Sequence, residues 1–74
     1  SSTEILKRFK RALRESEKIV KHSRRVLKII REVLKQKPTQ AVHDLVRIIE
    51  TQVKALEEQL KVLKRIVEAL ERQS

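Results

Sequence analysis

At 74 residues with a formal net charge of +9, the chain holds one small domain at most, in the size range where a lone core is marginal and association is a usual remedy. It has no Cys, which excludes a disulfide framework and thiolate chemistry, and no Gly with one Pro, which leaves few means of making tight turns or strands. Charged and apolar residues each make up 39%, and apolar residues never run longer than two, so no transmembrane span or signal-peptide apolar region is expected.

The first element is a long amphipathic helix, predicted from about residue 4 to 36. Ser1, Ser2 or Thr3 serves as N-cap, and Glu4 follows in the first turn, where a negative charge suits the helix dipole. A heptad frame (abcdefg) started at Leu6 places Leu6, Leu13, Val20, Leu27 and Leu34 at a, and Phe9, Ser16, Ser23 and Ile30 at d. The g column, Ile5, Ala12, Ile19, Val26 and Val33, widens the apolar stripe, and Ile29 extends it at c. Ser1-Ser2, with no initiating Met, resembles the remnant of a processed expression tag. A soluble chain made in the cytoplasm of a recombinant bacterial host is the expectation.

The loop is expected at residues 37–39. Pro38 lacks an N–H and disfavours helix at Lys37, and Thr39 is the natural N-cap of the next element. A second helix is predicted over about 40–72, and so short a connection forces the two to run antiparallel. Here the frame from Val42 places Val42, Ile49, Leu56, Leu63 and Leu70 at a, and Leu45, Gln52, Gln59 and Ile66 at d. Both flanks of this seam are apolar: Ala41, Ile48, Ala55, Val62 and Ala69 at g, and Val46, Val53, Leu60 and Val67 at e.

Folding the hairpin at Pro38 aligns d residues whose numbers add to 75, so Phe9 meets Ile66, Ser16 meets Gln59, Ser23 meets Gln52 and Ile30 meets Leu45. Polar thus meets polar in two layers enclosed by apolar ones. Buried polar groups are costly unless hydrogen-bonded, so Ser16, Ser23, Gln52 and Gln59 are read as a buried network that sets register and partner, with His22 as a further candidate beside Ser23. At g, four of five paired positions set a large residue opposite Ala, which favours g-to-g contact inside the hairpin. The e stripe, Val46, Val53, Leu60 and Val67, with Ile49, Leu56 and Leu63, is then left as an oligomer interface. Stripes this wide cannot be covered by one partner helix, so the fold class expected is all-α, an antiparallel helical hairpin that assembles into a multi-chain helical bundle. A dimer forming a four-helix bundle is the first expectation, and a six-helix trimer the second.

Idealised heptads, near-equal helices, the Lys37-Pro38-Thr39 loop, an Ile/Leu/Val core and the Ser16/Gln59 and Ser23/Gln52 layers together resemble the de novo designed helical-hairpin oligomers with buried hydrogen-bond networks. The resemblance spans the whole chain and implies a structural protein whose role is specific self-assembly into a homo-oligomer, with no natural substrate.

Charge is lopsided. Through Lys37 there are 13 Lys/Arg and 4 Asp/Glu, and from Pro38 onward 6 of each, so helix 1 and the loop carry the whole net charge. This admits an acidic designed hairpin as partner, or non-specific adhesion of helix 1 to nucleic acid or anionic membrane. Against the first, Glu50, Glu57 and Glu71 at b of helix 2 offer acids to a second copy. Specific nucleic-acid recognition is not expected, because one Phe at a core position supplies no stacking platform. His22 and His43 fall in different layers, so no metal site is expected, and nothing calls for a cofactor. No carboxylate lies on the apolar seam, there is no phosphate-binding Gly loop, and Ser23 beside His22 lacks an acid to complete a triad, which argues against an enzyme.

Overall fold

A computed structural model describes residues 2–73. Two helices, α1 (Ser2–Gln36) and α2 (Gln40–Gln73), pack along their length into a rod of 53 × 14 × 14 Å. Ser2 and Thr3 are helical, so of the three N-cap candidates only Ser1 precedes α1, and it lies outside the described residues. Glu4 occupies the first turn and Lys35 the last, each complementing the dipole.

The reversal is compact because each loop residue has a defined bonding role. The Lys37 N–H still donates to the Val33 carbonyl at 2.7 Å, closing the last turn of α1. Thr39 N–H then donates to the Lys37 carbonyl at 2.8 Å, a three-residue turn about Pro38, whose fixed φ suits that geometry. Thr39 also caps α2: its Oγ1 accepts from the Val42 N–H at 3.2 Å.

Five residues are buried: Val20 and Leu27 of α1, and Val46, Val53 and Val67 of α2. Leu27, Val46 and Val53 form one cluster, with Ile30, Leu34 and Ile49 packed on it. The α1 residues are from column a, as expected, whereas the α2 residues are from column e. Ile5, Ile19, Val33, Ile48 and Val62 of the two g columns are instead exposed. The structure therefore reverses the predicted flanks: g does not pack inside the hairpin, and Val46, Val53 and Val67 are already covered within the chain rather than left for another.

Side-chain size and charge both favour this rotation. On α2 the e column is uniformly large, while three of its five g residues are Ala, so turning e inward removes more apolar surface from water. The same turn brings column e of α1 against column b of α2. Lys10 pairs with Glu71 at 3.2 Å, Arg31 with Glu50 at 2.7 Å, and Arg24 with Glu57. All three pairs have residue numbers adding to 81, and the unpaired fourth position of the set, Glu17 opposite Lys64, keeps the same sum with the signs exchanged. Exposed pairs are worth at most about 1 kcal/mol each, so burial supplies the energy and the charges select the register.

Candidate assembly face

With e turned inward and sealed by the ion pairs, the other flank of the hairpin stays open. Column g of α1 (Ile5, Ile19, Val33) and columns g and d of α2 (Ile48 and Val62; Leu45 and Ile66) carry large exposed apolar side chains, Ile48 at 56% and Val62 at 50%. These columns are adjacent on each helix, so the exposed residues form one long face rather than scattered points. Ile29 of column c, 59% exposed, extends it on α1.

The polar residues singled out in the sequence lie on this face. Ser16 lines an open groove with Ala55, Gln59, Val62, Leu63 and Ile66, and a second groove joins Gln52, Ala55, Leu56 and Gln59. Ser16 and Gln59 are thus brought together, as are the two Gln. The bonding differs from expectation. Ser16 and Ser23 are half-buried, Gln52 and Gln59 are exposed, and no side-chain hydrogen bond links Ser16 to Gln59 or Ser23 to Gln52. A single hairpin does not enclose the layers, because α2 is rotated to bury e and carries d toward solvent. His22 is likewise exposed. The Thr51 hydroxyl, one residue before Gln52 and exposed, donates to the Arg47 carbonyl at 3.0 Å, a local helix bond.

Of the residues expected at an oligomer interface, Ile49, Leu56, Leu60 and Leu63 are half-buried, so part of each side chain remains available, and Leu56 and Leu63 line the open grooves. The g-column pairing assigns Ile5, Ile19, Val33, Ile48 and Val62 to the inside of the hairpin, and the structure places them on the open face instead. Their signal was present in the complementary charges of columns e and b, whose constant sum ties that flank shut.

No helix among the described residues is long and apolar enough to cross a membrane, and no group of three or more His, Cys, Asp or Glu among them is placed to hold a metal ion. Comparison with known proteins adds no relative: no family model, curated protein or solved structure matches the chain.

Proposed function

We propose that this chain is a structural assembly module of designed type, a hairpin that buries its open face against a second copy of itself to make a four-helix bundle. The observation that carries this reading is the exposed apolar face on columns g and d. The chain exposes 6083 Å², whereas a compact monomer of its 8.8 kDa mass would expose about 4,800 Å². The excess, about 1,300 Å², is more than the roughly 800 Å² that each partner contributes to a standard interface. Gln52 and Gln59 sit in that face with Ser16 and Ser23 at its edge, so the polar layers act between chains: their amides and hydroxyls find partners once a second face covers them. The decisive measurement is the mass of the isolated chain in solution at 0.05 M and 0.5 M salt, values chosen to bracket the screening range. A dimer at low micromolar concentration at both salts is expected, and a monomer at both overturns self-assembly.

A second reading is favoured by the ion pairs. Glu50, Glu57 and Glu71 are engaged by Arg31, Arg24 and Lys10 of the same chain, so the acids that α2 was expected to offer a second copy are already committed. An acidic hairpin meets the basic α1 more favourably than another copy does. A monomer alone that forms a defined complex when an acidic hairpin is added would establish this reading in place of the first.

A further inference from the structure

The outer side of α1 carries a basic stripe that neither the core nor the open face uses. Lys7, Arg11, Arg14, Lys18, Lys21, Arg25 and Lys28 follow one another at alternating steps of four and three residues, the repeat of a single helix face, and the acids of that face, Glu4 and Glu32, lie only beyond its two ends. All seven are exposed. The stripe runs straight for about 32 Å, close to one cation every 5 Å. Lys18 has Glu15 at 3.5 Å as an exposed pair one turn away, and Arg11, Arg14, Lys21, Arg25 and Lys28 make no ion pair among the described residues.

Such a stripe works against its own helix. Every neighbouring pair along it, 7/11, 11/14, 14/18, 18/21, 21/25 and 25/28, is like-charged, an arrangement that weakens a helix. The corresponding columns of α2 mix the signs: Arg47, Glu50, Lys54, Glu57 and Lys61 alternate, and Lys64, Glu68 and Glu71 follow. One chain therefore follows the stabilising pattern on one helix and abandons it on the other. A polyanion laid along the stripe would relieve the repulsion.

We propose that this face of α1 binds the phosphate backbone of duplex nucleic acid without reading its sequence. A stiff row of cations about as long as one turn of the double helix suits a regularly charged, stiff ligand. Sequence independence follows from chemistry, since the stripe consists of Lys and Arg alone and the one aromatic residue, Phe9, is half-buried on another face. An anionic membrane is a poorer fit. Helices that lie on membranes have cations flanking an apolar face that sinks among the lipids, whereas here columns b and f point roughly opposite columns d and g. That same separation leaves the stripe accessible whether or not the open face is occupied, so the inference is independent of the assembly reading.

The test is fluorescence anisotropy of a labelled 20-base-pair duplex against the full chain over a salt series, with vesicles containing phosphatidylserine as the second ligand. Five to seven phosphate contacts give a slope of log affinity on log salt of about −4 to −6. A duplex of scrambled sequence should bind with the same affinity. The variant Arg14→Glu, Lys21→Glu, Lys28→Glu makes the stripe alternate in sign from Arg11 onward, as α2 does from Arg47 to Lys61. It should lose at least about 100-fold in affinity near 0.1 M salt and make the slope shallower by about three. Its helix content, read by circular dichroism, should hold. A control with the same charge change elsewhere, Lys37→Glu, Lys61→Glu, Arg72→Glu, should stay within a few-fold of the parent. Equal losses in both variants, tighter binding to vesicles than to duplex, or no duplex binding by the parent at 0.05 M salt would each overturn the proposal.

Discussion

Val53 and Ile48 lie five residues apart on α2 and serve different purposes. Val53 is 5% exposed in the cluster with Leu27, while Ile48 is 56% exposed on the open face. Truncating Val53 to Ala should lower the stability of the hairpin itself, by about 1 to 2 kcal/mol for a thin core that collapses partly around the gap. Ile48→Ala should leave the hairpin within about 0.5 kcal/mol of the parent and weaken association instead. Chemical denaturation paired with the concentration dependence of mass separates the two, and a reversed pattern would mean that g, not e, packs inside. The polar residues give the second prediction. Replacing Gln52 and Gln59 with Leu, and Ser16 and Ser23 with Ala, should hold or raise the melting temperature while broadening the distribution of oligomers in native mass spectrometry, because apolar replacement of a polar layer is often neutral or stabilising. Unfolding, or a single oligomeric state that persists unchanged, would argue against a role for these side chains in specificity.

At the scale of the elements, the loop and the ion pairs join α1 to α2 in one register. Thr39→Ala removes the acceptor for the Val42 N–H and should cost about 1 kcal/mol, measured as a shift in denaturation midpoint, with the helix content of the folded state unchanged. The interhelix pairs should respond to salt. Glu50→Gln together with Glu57→Gln should cost no more than about 1 to 2 kcal/mol at low ionic strength, and less as salt rises, since both pairs are exposed. A loss several times larger, or one insensitive to salt, would mean that these charges contribute energy beyond register. That the chain makes two antiparallel helices was legible from residues such as Pro38 and Thr39 and from the heptads, because helix pattern and helix termination are local properties.

The molecule as a whole is a thin rod. Its radius of gyration is 16.7 Å, against about 11 Å for a compact chain of 74 residues. Two helices meet along one line only, so Ile5, Ile19 and Val33 of α1 and Leu45, Ile48, Val62 and Ile66 of α2 stay exposed beside it. Circular dichroism should show a chain well over half helical at micromolar concentration, with a melting temperature that rises with concentration as association adds to stability. A concentration-independent melt would place all the stability in the single hairpin.

The residues by themselves determined the helices, their break at Pro38, the fold-back and the width of the apolar stripes, because these follow from periodicity and from the missing N–H of proline. Which flank turns inward was decided only in the tertiary structure. Val46 and Ile48 are both apolar and both flank the same seam, so the local pattern permits either. The choice rests on two sums taken across the hairpin: the apolar area removed by a uniformly large e column against a g column containing three Ala, and the match of Lys10, Arg24 and Arg31 with Glu71, Glu57 and Glu50. Neither sum belongs to one helix. Once it is made, Gln52 and Gln59 turn outward with the d column, and the polar layers pass from the inside of the hairpin to its open face.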